Sequence, residues 1–419
     1  MSKFIALRKV SRAVAMGLSD LSMDGKRSAM MREAPAPEQS EALERIGLSK
    51  VEAEQRSPEG GDQYQSLGYA GAYVVETTDE ATAQRAQEVL EPAYHIMPDI
   101  EMGLPVAMLA RRYERRPRRK QYWPDESGVA RAHAQGLTGK GVLVGVLDTG
   151  CDADHLELRG KRIDFRYVPL RPTPEAVRAV RGFDTNGHGT HVTSIIAGKN
   201  VGIAPDVDLM VASVIESETV RTSLERVVIA LDWMLSQFQR EEYLDKPAII
   251  NLSLGFRAEW IGATQIQSVL QGVQLILETV VVDFDVLPVV AIGNDGAGVV
   301  RAPGYFAETL SVGAVDAGLQ PAWFSGSGLS PLTQQPEPDI AGYGVDVLAA
   351  LERSAGGNSI YAVKSGTSMA APYVTGIAAL VAQKYPGMQG PALKQHLLDH
   401  ALPLQDAGSR VGAGLARVS

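Results

Sequence analysis

From Gly141 onward, apolar strands alternate with helical stretches. The strands are GVLVGVLDTG, VDLMVASVI, AIINLSLG, LPVVAIGNDG and TLSVGAV, and runs such as Gly189 to Gly198, Ser223 to Arg240 and Ile266 to Val282 separate them. Strands that are apolar along their whole length have no polar face to offer water, so both sides of their sheet must be covered. Helices between glycine-bounded strands supply that cover and indicate a parallel sheet. The fold class that follows is α/β, with functional residues just beyond the carboxyl ends of the strands.

At 419 residues the chain exceeds one typical core, so a large domain with a smaller appendage is expected. Residues 1–66 are polar and rich in Ala, Glu, Ser and Pro, and read as a flexible amino-terminal segment with one short helix. Then AGAYVVET reads as a strand, Asp79 to Leu90 as a capped helix, and AYHIMPDIEM as a second strand, giving a small α+β domain over residues 67–110. Arg and Lys crowd the stretch from Arg111 to Lys120, with Pro117 in its middle. Residues 111–120 therefore read as a solvated basic linker, or as a junction open to proteolysis. The α/β domain takes residues 121–419.

A formal net charge of -9 argues against a nucleic-acid partner. Lys3, Arg8, Lys9 and Arg12 interrupt the amino-terminal apolar residues before they reach the length of a secretory signal. No later apolar stretch reaches the ~18 residues that cross a bilayer, so no membrane span is expected. Cys151 is the only cysteine, which excludes an intrachain disulfide and a cysteine-rich metal site. That usage suits a reducing compartment, and a cytoplasmic location is expected.

Three spots in the α/β region carry groups that chemistry uses. Asp148 emerges at the end of GVLVGVLDTG; His188 stands between Gly187 and Gly189 in DTNGHGTHV, at the start of a helix; Ser368 sits in SGTSMAAP, at the amino terminus of an apolar helix. Each alone has a structural explanation, as a turn cap, a satisfied histidine or a helix cap. Together they can form a relay, in which a hydroxyl passes its proton to an imidazole held in one tautomer by a carboxylate.

The DTG, HGTHV and SGTSMAAP motifs resemble the three signatures of the subtilisin-like serine proteases, over roughly residues 121–419. The resemblance implies a three-layer α/β fold with a mainly parallel central sheet, beside the small amino-terminal α+β domain. It implies Ser368 as nucleophile, His188 as general base and then acid, and Asp148 as the group that orients the imidazole, with Ser365 a structural neighbour. Asn294 in AIGNDG matches the side-chain amide that stabilises the oxyanion together with the Ser368 backbone N–H. Ser253, Leu254 and Gly255 in NLSLG match the strand that lines the pocket for the side chain before the cut bond and pairs with the substrate backbone. Arg301, counted back from SVGAV, falls near the floor of that pocket. A guanidinium there favours an acidic residue before the bond, whereas Asp295 could instead neutralise it, or the side chain could point to solvent.

In GKNVGIAPDVDL the loop on which many family members hold calcium is missing, so no metal is expected there and no cofactor is expected at all. Weakly held calcium elsewhere would leave no compact signature. The amino-terminal unit stands where family members carry an inhibitory propeptide. As an intramolecular inhibitor it would pack the strand near AYHIMPDIEM on the catalytic domain, send the following segment into the cleft, and be released by self-cleavage between Arg111 and Glu126. The other reading is a permanent accessory domain. Cys151, three residues past Asp148, reads as a small buried hydrophobe. The expected function is an intracellular serine endopeptidase that cuts extended protein or peptide segments through an acyl-enzyme. The alternatives are a dedicated maturation protease for one precursor or partner, and a silent module that holds a peptide without cutting it.

Overall fold

A computed structural model of the chain describes residues 2–10, 39–51, 60–113, 123–169, 180–404 and 408–419. The run Phe4-Ile5-Ala6-Leu7 is apolar at successive positions, so as a strand it buries both of its faces. It does so in β1 (Ser2–Arg8), inside a five-stranded sheet with β2 (Ser49–Lys50), β3 (Gln63–Leu67), β4 (Ala72–Thr77) and β5 (Tyr94–Pro98). β1 runs antiparallel between β4 and β5. Phe4 and Ala6 turn to the face covered by α1 (Ser40–Arg45) and α2 (Glu80–Leu90), where Leu43, Ala83, Ala86 and Leu90 pack with Tyr64 and Tyr73. The side chain of Asp79 caps α2 by accepting from Thr82 N at 2.9 Å.

This corrects the expectation of a flexible segment over residues 1–66. Ser2–Arg8 and Gln63–Leu67 are strands of the small domain, because a short two-faced apolar strip folds on local pattern even inside a window of polar average composition. Residues 11–38 and 52–59 of that segment lie outside the described residues, as do residues 114–122, which hold most of the basic linker. Arg111 and Arg112, expected in the linker, belong instead to a strand, β7 (Met108–Tyr113), which follows the two-residue β6 (Glu101–Met102).

The larger domain opens with α3 (Val129–Ala134), β8 (Leu143–Asp148), β9 (Ile163–Tyr167), α4 (His188–Ala197) and β10 (Asp208–Ser213). It continues through β11 (Thr222–Ser223), α5 (Leu224–Phe238), β12 (Ala248–Leu252), α6 (Ile266–Glu278), β13 (Leu287–Ala291) and β14 (Leu310–Val315). The hairpin of β15 (Gly328–Leu329) and β16 (Pro336–Glu337) precedes β17 (Ile340–Tyr343), β18 (Val347–Leu351) and β19 (Ile360–Ser365), and the domain ends with α7 (Thr367–Lys384) and α8 (Gly390–Asp399). Seven strands form the central sheet in the order β17-β14-β13-β12-β8-β10-β9, every neighbouring pair parallel. Alternate residues of β8 go to opposite layers. Val144 and Val146 face α4 and α7, whereas Leu143 and Leu147 face α5 and α6. Each such side chain, fully buried, contributes about 1.5–3 kcal/mol, and the edge strand β9, with Asp164 and Arg166 between its apolar residues, departs from the two-faced apolar pattern.

The outer face of the small sheet, with Ile5, Leu7, Val74 and Met97, joins the layer of α5 and α6. Polar contacts fix the docking: Asp232 Oδ1 of α5 accepts from Tyr69 N and Ala70 N at 2.7 and 2.8 Å, and His95 Nε2 lies 2.7 Å from Ser268 O of α6. Among the described residues, the stretch Ile266–Asp283 has the length and apolar composition to cross a bilayer, but half of it is buried in the protein, and its Gly272 is packed by Met97 and Leu7.

Glu337 of β16 is buried, accepts from Ser311 Oγ, and lies near Asp339. Burial, and then the Asp339 charge, push its carboxyl from the usual 4.5 up to about 7. A carboxyl raised in the folded state contributes stability below its unfolded pKa and loses that contribution as pH rises through 7. Glu337→Gln should therefore raise the unfolding free energy at pH 8 by about 2–3 kcal/mol and change it far less at pH 5, which denaturant titrations at the two pH values will check.

Candidate active site

Asp148 is the last residue of β8, and its neighbours hold it where it leaves the sheet. Its Oδ1 accepts from Thr149 N at 2.7 Å and lies 2.7 Å from Nδ1 of His188, the first residue of α4. Neither side chain is exposed. Asp184 ties the two elements together. Its Oδ1 accepts from Thr149 Oγ1 at 2.7 Å and from Gly187 N at 2.8 Å, while its Oδ2 accepts from Thr190 N and Oγ1 at 2.6 Å. Gly189 lets the helix start touch the turn after β8, since a Cβ there would collide with the Gly150 carbonyl oxygen. His188 Nε2 is buried and hydrogen-bonds to nothing among the described residues.

Ser368 is the second residue of α7, whose helix packs against α4. Asn294 follows β13 and is locked by its carbonyl: Oδ1 accepts from Thr367 N and Thr367 Oγ1, both at 2.9 Å. The amide nitrogen is thereby freed to donate to an oxygen in the cleft. Ser253 Oγ accepts from Asn251 Nδ2 at 3.1 Å and donates to Ser368 O at 3.5 Å, so it supports the start of α7 from behind. Ser365 Oγ accepts from Asp346 N at 2.9 Å, a structural tie one turn before Ser368. Leu254 is buried, and Gly255 presents its backbone to the cleft.

The chain's own residues 103–107 lie in that cleft. Gly103 and Gly255 exchange two backbone hydrogen bonds of 2.8 and 2.9 Å, an antiparallel strand addition. Ser368 Oγ donates to Pro105 O at 3.4 Å, Asn294 Nδ2 donates to Val106 O at 2.9 Å, and Ala107 N donates to Glu218 Oε2 at 3.2 Å. Beyond the cleft β7 pairs with β19, and Met108 stands opposite Ser365. Two residues that sequence reading missed shape this side. Glu218, after β10, and Lys364, in β19, form a buried ion pair at 2.5 Å. Burial pulls the Glu218 carboxyl up, but the nearby His188 and Lys364 outweigh it and hold the carboxyl below the usual range. No local motif marks either residue, because 146 positions separate them.

The remaining expected residues also have places. Arg301 is buried, with Nε 2.6 Å from Asp295 Oδ2 and Nη2 3.0 Å from Asp295 Oδ1. Of the three readings left open for Arg301, the structure displays the one in which the side chain is buried against Asp295 rather than turned to solvent or left unpaired. Cys151 is fully buried and burial pushes its thiol far up, so it serves as a small hydrophobe. His191, the second imidazole of HGTHV, is fully buried with Nε2 3.2 Å from Ala362 O. Burial and then Lys364 hold it far below the usual range, hence neutral.

A model of the subtilase family matches residues 139–414. The chain belongs to the subtilase family. It is a serine peptidase, and the match begins just before β8 and reaches past α8. The chain is 43% identical to "Subtilisin-like protease PopC" of Myxococcus xanthus (strain DK1622) over 376 residues, which is 87% of this chain and 78% of that one. It is 34% identical to "Subtilisin BL" of Lederbergia lenta over 292 residues, 68% of this chain and 91% of that one. Among solved structures it resembles that of the "Prenylagaramide maturation protease PagA", with a TM-score of 0.52, 26% identity, and coverage of 70% of this chain and 95% of that one. The PopC match extends over more of this chain than the family model does, so the likeness reaches into the small domain.

Gly189→Ala should force α4 away from the turn after β8. We expect a loss of about 1–3 kcal/mol in unfolding free energy, read by urea titration, as for other insertions of a methyl group into a packed contact.

Proposed function

We propose that this subtilase is a cytoplasmic serine endopeptidase that its own amino-terminal unit holds inactive until it cuts itself free. Ser368 Oγ attacks the scissile carbonyl, and its proton passes to His188 Nε2. Asp148 keeps the proton of the imidazole on Nδ1 and stabilises the imidazolium that forms. The oxyanion is held by Asn294 Nδ2 and Ser368 N–H. The C–N bond breaks as His188 returns the proton to the leaving amine, and a water molecule then releases the acyl-enzyme by the same steps. The observation that carries this reading is a fully buried imidazole with Nδ1 on a carboxylate and Nε2 unpartnered, on a helix packed against the one that bears Ser368.

The inhibitor reading is supported by the register of residues 103–107. Ser368 Oγ and Asn294 Nδ2 engage consecutive carbonyls, Pro105 O and Val106 O, so no single carbonyl is held by both for attack. Pro105 also lacks the N–H through which an extended substrate pairs with the enzyme. The segment therefore binds as a strand without lying in a cleavable position, and cleavage to release it belongs further on, between Arg111 and Glu126. A dedicated maturation role for one precursor is favoured by the filled pocket floor at Arg301 and by the likeness to the maturation protease PagA.

Intact-mass measurement of the purified wild type beside Ser368→Ala tests the proposal. A lighter species is expected in the wild type alone, with its new amino terminus between Arg111 and Glu126, and a fluorophosphonate probe should label it but not Ser368→Ala. If the probe labels neither the full-length nor the shortened chain, the endopeptidase reading is wrong and a silent peptide-holding module takes its place. A proteome-wide cut-site profile separates maturation from broad digestion, since a processing enzyme gives very few products.

A further inference from the structure

The peptidase reading leaves open which peptides are cut, and the surroundings of Arg301 bear on it. The segment is not seated for cleavage, since Asn294 holds Val106 O, but the contact of Ser368 Oγ with Pro105 O and the pairing of Gly103 with Gly255 mark Pro105 as standing at the position of the residue before the cut bond. The main chain at that position runs between two segments of the protein. One is Ser253 to Gly255, paired with the incoming strand through Gly255, and the other is Gly293 and Asn294. The back of the slot is the segment that joins them, because Ala302 pairs with Phe256 at 2.8 and 3.0 Å and Arg301 N donates to Ile292 O at 3.1 Å.

Arg301 does not point away from this slot into water. Its stem lies along Gly293, where a Cβ would come within 2.9 Å of Arg301 Cγ and 3.0 Å of Cδ. Gly293 has φ +110, so both its conformation and its neighbour call for glycine. The guanidinium is fixed by two nearly parallel bonds to Asp295, and its Cζ lies 5.4 Å from the Trp260 ring centroid. Arg257 Nη1 approaches Asp295 Oδ1 at 3.7 Å, and Arg257 Nε lies 3.2 Å from Glu259 Oε2. Summed over Arg257, Arg301, Asp295 and Glu259, the local charge is zero. Burial alone would lift the Asp295 carboxyl, but the Arg301 bonds hold it below the usual range, so the pair stays ionised at neutral pH.

We propose that the Arg301–Asp295 pair is a plug that closes the floor of this pocket and restricts the residue before the cut bond to a small, uncharged side chain, which places the proposed self-cleavage at the Arg111 end of its range, after Ala110. A Phe, Tyr or Leu would need the volume that the Arg301 stem fills. A Glu would meet a guanidinium whose fork is already taken by Asp295, with a second carboxylate beside it. A Lys would meet that guanidinium directly. Proline in the inhibitory segment is compact and uncharged, as the slot requires.

The inference rests on the peptidase reading, and its test separates the two. Full-length wild type, Arg301→Gly, Asp295→Asn and Ser368→Ala are each incubated with denatured casein, and the residues before the cut bonds are mapped by mass spectrometry. For wild type, cuts after Ala, Gly, Ser and Val should outnumber cuts after Phe, Tyr, Leu, Glu and Lys by tenfold or more, corrected for their abundance. Arg301→Gly opens the floor and should raise the share of cuts after Phe and Leu about tenfold, the discrimination expected for a few methylenes of apolar volume. Asp295→Asn leaves Arg301 unpaired and should bring in cuts after Glu at a similar factor.

Wild-type cuts that fall mainly after large aromatic, Leu or Glu residues overturn the plug. So does an active Arg301→Gly with an unchanged profile, or an active Asp295→Asn with Glu still as rare as in wild type. Should either variant fail to fold, the wild-type profile alone still decides the matter. No cutting by wild type that has shed its amino-terminal unit, above the Ser368→Ala background, would overturn the peptidase reading itself, and the plug with it.

Discussion

The 2.7 Å hydrogen bond between Asp148 Oδ1 and His188 Nδ1 has no access to water, and the rest of the site is arranged around keeping it there. A carboxylate removed from water is costly unless backbone and side-chain donors replace its hydration, and here Thr149 N and the imidazole do so at Oδ1, while Oδ2 is buried without a hydrogen-bond partner among the described residues. Asp184, with five donors on its two oxygens drawn from the turn and from the start of α4, fixes the distance between strand end and helix start. Gly189 allows the backbones to approach to contact. The parallel sheet supplies the remaining constraint, because β8, β12 and β13 all end at one rim and so deliver Asp148, the Ser253 strand and Asn294 to the same place.

A tethered segment can occupy such a cleft without being a good substrate. Residues 103–107 are held on one side by the small domain, whose sheet shares a core layer with α5 and α6, and on the other by the pairing of β7 with β19. Anchoring at both ends raises the local concentration of the segment enough that its few polar contacts suffice. Ser368 Oγ meets Pro105 O while Asn294 Nδ2 meets Val106 O, so on the proposed roles attack and oxyanion binding would fall on different peptide bonds. Glu218, which joins Ala107 N to Lys364 close to His188, draws this segment into the electrostatics of the site.

Much of this was legible in the order of residues. The alternation of glycine-bounded apolar strands with helices gave the parallel sheet, since burial on both faces leaves a local trace in every strand. The three motifs around Asp148, His188 and Ser368 marked their positions at strand ends and helix starts, because the turns that expose a side chain there need small residues at fixed offsets. KFIALR carried a strand signal as well, lost only when residues 1–66 were averaged together.

Nothing local could announce that Glu218 would meet Lys364, that Asp295 would hold both nitrogens of Arg301 that face it, or that Pro105 and Val106 would present their carbonyls to different donors. Those contacts join positions far apart in the chain or depend on which way a long side chain turns, and both are fixed only when packed layers leave one direction open. The sequence by itself determined which chemical groups stand at the rim of the sheet. Their partners, their charge balance and the occupant of the cleft were decided by tertiary structure, because hydrogen bonds and ion pairs act over a few ångströms of space and take no account of separation along the chain.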